Sequence, residues 1–456
     1  MTPTTTTEDA VTDMAHPGAA PGALVAPDVL RAGVELYLDL HTHPELSGAE
    51  TRTAGVLAAR LERHGYTVTR GVGGHGVVGV LRNGEGPTVA LRTELDALPL
   101  HERTGLPYAS AVPGVMHACG HDLHLAAVAE AAGLLAGSRD TWRGTVLVYG
   151  QPAEETLSGA RAMLADGLYE RFGTPEVVLA QHTAPLPAGT VAYAEGPLMA
   201  GSVTLDVLLR GRGGHAGAPQ LTVDPVLTAA AAVLRLQAVV SRETAPAEQV
   251  VLTVGSLHAG ERANVVPDTA ELGISVRAFS DAALSRVTAA VERVVRAECA
   301  ASGCPDEPEI TVVARSPVLL PDAGPTAAVR EAHQALFGPG RVRGTGAMAA
   351  AEDFGWYGGA GAAVHGMPEV RSVYWILGTT SARQWLAARE RATARARDHV
   401  PDVPEVPGNH SAEYAPDIRT ALPTGIAALH GAARQLLGEP PHLANGRALG
   451  EAERER

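Results

Sequence analysis

Three short stretches carry the residue types that hold divalent metals: Cys119 and His121 in HACGHD (117–122), the adjacent Glu154 and Glu155 in QPAEE (151–155), and His182 in VVLAQH. A thiolate, imidazoles and a carboxylate brought to one edge of a sheet can bind a divalent ion, and a spare Glu beside a ligand can act as base for a metal-activated water. Residues two apart converge on one ion from a loop or extended segment and diverge on a helix, so Cys119 and His121 are expected ahead of the helical run LHLAAVAEAAGLL. The plainer alternative is a buried cysteine beside a capping histidine. Two neighbouring carboxylates repel and are costly near a core unless a cation neutralises one; otherwise they belong in a solvated loop. TVALRTELDALP places Glu94 and Asp96 at a further strand end, where Asp96 suits a carboxylate that orients a ligand or caps a turn. Asp122 is expected to cap the following helix, and His117 and His124 to pack around or support the ligands.

The elements that must position these residues alternate from about 28 to 195. Helices around 30–40 and 50–64 precede the strands YTVTRG, GVVGVL and TVALR, and a helix over 122–137 precedes TVLVYG and VVLAQH. That rhythm is an α/β layered domain, and ligands in open α/β sheets gather at the carboxyl ends of strands. GVGGHG (71–76) has dinucleotide-type glycine spacing but leads into the strand VVGVL, so it reads as a turn between two strands. From about 200 to 315 the order changes to β-α-β-β-α-β, a ferredoxin-like α+β unit inserted into the first domain. The predicted organisation is a disordered leader over 1–27, a layered domain with a mixed sheet over 28–199 and 316–440, the inserted unit over 200–315, and a flexible tail over 441–456.

Composition limits the function. The formal charge of −14 argues against nucleic acid or an anionic membrane as partner. All 36 basic residues are Arg, which removes Schiff-base chemistry, a P-loop Lys and a Lys base together. Cys119, Cys299 and Cys304 are too few for a disulfide framework. No continuous apolar run reaches the roughly 18 residues a membrane span needs. The amino-terminal stretch does not read as a signal peptide, and a cytoplasmic location is the expectation.

Taken in order, HPELS (43–47), LRTELDALP, GVMHACGHD, QPAEE, GRGGHAGAP (211–219), ERANVVPD (261–268), AAEDF (350–354) and NHSAEY (409–414) resemble the M20 metallopeptidase family. The resemblance is strongest to its amidohydrolases of N-acyl amino acids, such as hippurate and auxin–amino acid conjugate hydrolases, and runs from about 30 to 437. It implies that the layered domain is catalytic and carries a centre of two divalent ions (zinc, manganese, cobalt or nickel), and that the inserted unit over 200–315 is a lid through which the chain forms a homodimer. It also implies Cys119, His121, Glu155, His182 and His410 as metal ligands, Glu154 as general base and Asp96 as supporting carboxylate. His215 would contact the reacting carbonyl, and Asn264 and Arg277 the substrate's carboxylate. Their plain alternatives are a turn histidine, a turn asparagine and an exposed strand cation. Glu352 and Asp353 fit either a supporting wall or the metals. One departure is an Arg-rich, then Pro-rich insert near 380–408, where the family runs a short connection.

The resulting expectation is a hydrolase that cleaves the amide of a small acyl amino acid. A dipeptidase or carbamoylase with the same centre, or a catalytically silent metal-binding scaffold, are the alternatives. The doubled Glu154–Glu155 argues against the scaffold, because a structural site needs no spare base.

Overall fold

The computed structural model describes residues 24–397 and 406–438. The chain divides into two compact units, one formed by the residues up to Glu195 with Pro321–Thr345 and those from Tyr357 onward, the other by Gly196–Leu320 with Gly346–Trp356. In chain order the elements are α1 (Pro27–Thr42), α2 (Thr51–Arg63), β1 (Thr67–Val72), β2 (Gly76–Asn83), β3 (Thr88–Glu94), α3 (His121–Gly137), β4 (Gly144–Gln151), α4 (Gly159–Ala165), α5 (Leu168–Phe172), β5 (Val177–Pro187), β6 (Val191–Ala194) and β7 (Met199–Arg210). There follow β8 (Gly214–His215), α6 (Pro225–Arg242), β9 (Val250–Ala259), β10 (Val265–Val266), β11 (Thr269–Ala278), α7 (Asp281–Ser302), β12 (Glu309–Ser316) and α8 (Ala323–Phe337). The last are β13 (Val342–Thr345), β14 (Met348–Ala351), α9 (Ala362–His365), β15 (Arg371–Thr380), α10 (Ala382–Arg397) and α11 (Ile418–Leu436).

The first unit is built on an 8-stranded mixed sheet in the order β1-β2-β4-β3-β5-β15-β6-β13. Its middle strands β4, β3, β5 and β15 run parallel. Parallel strands covered on both faces read as unbroken apolar runs, which is why VLVYG, VVLAQ and SVYWILG carry almost no alternation and are buried almost throughout. Helix α3 is equally apolar around its circumference, because α1, α2 and α11 pack on it as well as β3. β1 and β2 form the antiparallel hairpin expected around GVGGHG.

The second unit is the β-α-β-β-α-β arrangement that the sequence order predicts. Its antiparallel sheet runs β12-β7-β11-β9, and β11 buries every second residue, as a half-covered strand does. Asp224 caps α6 by accepting the Val226 and Leu227 amides, with Pro225 in the first turn. Ser280 caps α7, and Gly303 ends it in the left-handed region at φ 71°. α6 is apolar enough by composition to cross a bilayer, but its Ala229, Ala232, Leu236 and Val239 lie in the core of this unit.

Two features differ from the sequence reading. The segment 346–356, assigned there to the catalytic domain, belongs to the second unit: β14 pairs with the start of β7, and Arg277 Nη1 donates to Ala349 O at 2.6 Å. β5 does not end at His182 but runs to Pro187, because β15 continues to pair alongside it as far as Thr380. Of the insert near 380–408, the Arg-rich part forms α10; residues 398–405 lie outside the described residues, as do 1–23 of the leader and the tail.

Candidate metal centre

Cys119, His121, Glu155, His182 and His410 come together in the first unit. Potential ligand atoms of Cys119, His121 and His182 lie within 4.8 Å of one another, as do those of Cys119, Glu155 and His410, and those of His121, Glu154 and Glu155. Cys119 leaves the loop before α3, and His121 is the first residue of that helix. Gly120 between them adopts φ 86°, and a Cβ there would stand 2.4 Å from Thr183 Oγ1, so only glycine turns the chain so that both neighbours face one point. The glutamates follow β4. His182 lies within β5, and its Nε2 is 3.4 Å from Cys119 Sγ while Nδ1 donates to Thr183 O at 2.8 Å.

Among the described residues three that are not glycine occupy the left-handed region, and all belong to this neighbourhood: Ala153 at φ 52°, Leu157 at 54° and His410 at 66°. Such conformations cost of order 1–3 kcal/mol each and persist where surrounding bonds impose them. Ala153 is held by the buried carboxylate of Glu50, which accepts its amide at 2.7 Å, and His410 N donates to Ala118 O at 2.8 Å.

Asp96 supports the centre. Its Oδ2 accepts Ser47 Oγ at 2.7 Å and the Glu155 amide at 2.9 Å, and its Oδ1 lies 3.3 Å from His121 Nδ1. Burial pushes its carboxyl up, but the neighbouring His121 and these hydrogen bonds hold it below its ordinary value. Burial likewise pushes the Cys119 thiol up, and His182 and His121 override it, leaving the thiol well below its usual range. His182 rises to about 9: burial lowers it and Cys119 more than compensates. His410 is drawn up to about 10 by hydrogen bonds with Cys119 and Glu155. A thiolate ringed by imidazoles is the donor set a borderline-soft cation takes over from protons.

The fit to such a cation rests on orphaned atoms. His121 Nε2 and Glu155 Oε1 are buried, neither has a hydrogen-bond partner among the described residues, and they lie 3.9 Å apart. That is too far for a hydrogen bond and within reach of one ion with ligands at about 2.0–2.2 Å. The buried Glu154 places Oε2 3.8 Å from the same His121 nitrogen.

Other expectations resolve differently. Asp122 does not cap α3, whose N-cap is Gly120; it accepts the Leu123 amide from inside the first turn and pairs through Oδ2 with His41 Nδ1 at 2.6 Å. His117 is buried with neither ring nitrogen hydrogen-bonded among the described residues. His215, Asn264 and Arg277 lie in the second unit, as do the buried Glu352 and Asp353. β8 and β10 bring His215 and Asn264 side by side: His215 opposes Val265, and Ala216 N donates to Asn264 O. His215 is exposed, and its Nδ1 accepts the Gly217 amide at 2.9 Å, leaving Nε2 as the free-facing nitrogen. Arg277 is not beside them: it lies on β11, opposite Ser202 of β7 and Val251 of β9.

Asn409 and Thr183 went unremarked in the sequence. Asn409 Nδ2 donates to Cys119 O at 2.9 Å and Thr183 O at 3.1 Å, and Thr183 Oγ1 donates to Cys119 O at 2.8 Å. Asn409 stands next to His410 in NHSAEY, which was the available signal; nothing local marks Thr183.

Comparison with known proteins gives the same picture. The family model described as peptidase family M20/M25/M40 matches residues 90–393. The chain is 41% identical over 244 residues to a hippurate hydrolase from Campylobacter jejuni, covering 53% of this chain and 63% of that one. It is 36% identical over 294 residues to the IAA-amino acid hydrolase ILR1-like 2 of Arabidopsis thaliana, covering 64% and 66%. The chain thus spans just under two thirds of the length of these relatives. Among solved structures it resembles a dinuclear metal-binding peptidase of the M20 family from Bacillus subtilis, with TM-score 0.68, 26% identity and coverage of 90% of this chain and 100% of that one.

Proposed function

The chain belongs to peptidase family M20/M25/M40, and from that premise we propose that it is a metal-dependent amidohydrolase acting on an N-acyl amino acid or a similar small conjugate. The observation that carries this reading is the pair of buried, unpartnered atoms, His121 Nε2 and Glu155 Oε1, 3.9 Å apart amid Cys119, His182 and His410. The names of the relatives, a hippurate hydrolase and an IAA-amino acid hydrolase, support the substrate class. Cys119, His121, Glu155, His182 and His410 would hold two divalent ions; when bound, such ions polarise a carbonyl and acidify a water. Zinc, manganese, cobalt and nickel all suit this mixture of sulfur, nitrogen and oxygen.

The chain's own part falls to Glu154. Its carboxylate, buried beside His121, takes the proton of the attacking water as the carbon–oxygen bond forms, then delivers it to the amide nitrogen as the carbon–nitrogen bond breaks. Asp96 keeps His121 and the Glu155 backbone in place through both steps. In this proposal His215 hydrogen-bonds the carbonyl oxygen as charge develops, and Asn264 and Arg277 bind the substrate's carboxylate. The second unit also pairs with a second copy of the chain: Leu227 and Leu234 on α6, and Val312 and Val313 on β12, are exposed. Free Cys119, Cys299 and Cys304 accord with a cytoplasmic setting, which cell fractionation would check.

The test is removal of metal with a chelator, reconstitution with each ion, and hydrolysis of hippurate, other acyl amino acids and dipeptides. Activity that returns with about two equivalents of metal and prefers acyl amino acids is the expected result. Hydrolysis indifferent to chelation overturns the proposal, and a preference for dipeptides or carbamoyl amino acids overturns its substrate class.

A further inference from the structure

Beneath the ligands lies a charged network that the proposed chemistry does not call on. Arg92 and Glu94, both fully buried on β3, are ion-paired through Nη1 and Oε1. Arg92 Nε also donates to Gln151 Oε1 at 2.9 Å, an oxygen that accepts the Tyr357 hydroxyl at 3.0 Å. Gln151 ends β4, the strand that leads into Glu154 and Glu155. On its other side Glu94 reaches α3, with Oε2 2.8 Å from His124 Nδ1. His124 Nε2 in turn lies 2.9 Å from Thr183 N.

The last contact settles how the protons are arranged. A backbone amide can only donate, so His124 Nε2 must accept; Nδ1 therefore carries the hydrogen, and the Glu94 carboxylate receives it. With both nitrogens engaged, His124 is not a ligand, although Glu94, His121 and His124 stand close enough to resemble a site. Its ring packs against two proposed as ligands: the centroids are 4.8 Å from His182 and 5.6 Å from His121. Thr183 is chained to His182, bonds the Cys119 carbonyl, and accepts both His182 Nδ1 and Asn409 Nδ2. A buried ion pair is weak evidence for stability, because well-packed apolar groups often do as well; what this one fixes is geometry.

We propose that Arg92, Glu94 and His124 form a positioning relay. Glu94 fixes His124 with its hydrogen on Nδ1, His124 holds the Thr183 amide, and Thr183 sets Cys119 and His182 for the ion they share. The proposal rests on the ligand set proposed above. Positioning groups of this kind are worth 10–100-fold in metal affinity.

The experiment uses cobalt(II) on the full chain, reading affinity by competition with a chelator, the thiolate-to-cobalt absorption contributed by Cys119, and thermal stability. Glu94→Gln should weaken the ion bound by Cys119 and His182 by 10–100-fold and shift that absorption. His124→Asn leaves the Arg92–Glu94 pair intact and keeps a donor toward Glu94, but offers Thr183 no acceptor; it should show the same loss. His124→Gln, whose amide oxygen can reach the Nε2 position, should recover most of the affinity. The double variant Glu94→Gln/His124→Asn should be no worse than either single, because both act through one path. If Glu94→Gln fails to fold, the two His124 variants decide. Wild-type affinity and absorption in folded His124→Asn overturns the relay. So does an equal loss in His124→Asn and His124→Gln, which would make the bulk of the ring and not its acceptor the cause. A wild-type protein without thiolate absorption overturns the ligand set itself, a result distinct from either.

Discussion

The two units treat polar groups in opposite ways. The first buries Arg92, Glu94, Asp96, His121, Asp122, His124 and Glu154 together beside its sheet. The second has a core of Val203, Leu205, Leu272, Ile274, Val291 and similar residues, and carries His215 and Asn264 exposed on short strands. A buried ionised group is tolerable only when partners surround it, so in the first unit the packing and the chemistry are the same set of atoms. In the second, apart from the buried Glu352 and Asp353, they are separate, and a substitution can alter one without the other.

The sharpest way to break this contrast is Glu154→Gln. It should lower turnover by roughly 10²–10⁴-fold with metal content and thermal stability unchanged; near-normal turnover in fully metallated protein would remove Glu154 as the base. His215→Ala should come next, reducing kcat by on the order of 10²-fold if it meets a developing oxyanion. Arg277→Ala should chiefly raise KM, as loss of a uniform binding contact does. Steady-state kinetics on a confirmed substrate separates the two, and an unchanged kcat in His215→Ala would leave the second unit without a part in the chemistry.

Acid should expose the first unit. Burial holds His333 down to about 4, with Nδ1 2.6 Å from Tyr193 Oη and Nε2 2.9 Å from Ala428 O. An unfolded histidine titrates near 6.5, so between about 6.5 and 4 the unfolded chain binds a proton that the folded unit refuses, and stability falls as pH falls through that window. The loss is about 2 kcal/mol by pH 4.5 from this residue. Urea midpoints at neutral pH and at pH 4.5 measure it, and His333→Gln, which cannot titrate, should remove its share of the dependence and leave that of His117 and His430, which burial also holds down to about 4. The smallest effect belongs to the surface of the second unit: Leu234→Glu should change stability by no more than about 0.5 kcal/mol while abolishing association in sedimentation. A dimer that survives it would move the proposed contact away from α6.

Much of the scaffold was legible because apolar periodicity survives in single segments, as in the unbroken VLVYG and VVLAQ of the parallel strands and the alternating TAELGISVRA of β11. The gathering of Cys119, Glu154, Glu155 and His182 was legible because each motif abuts a strand or helix that can be read locally. What was not legible depends on neighbours distant in sequence. Glu94 was visible beside Asp96, but its tie to His124 exists only because β3 lies against α3. β5 passes beyond His182 because β15, nearly 200 residues later, continues alongside it. β14 was misplaced because nothing in MAAA shows that it will join β7.

The left-handed backbone at Ala153, Leu157 and His410 has a consequence for anyone selecting sturdier versions of this protein. Glycine at such positions relieves strain, so a search driven by melting temperature alone would be drawn to them. Each substitution would also release the segment that carries Glu154 and Glu155, or delete His410 outright. The gain in heat resistance would be recorded as success while the proposed metal centre was being lost, which makes these three positions the ones to hold fixed in any such library.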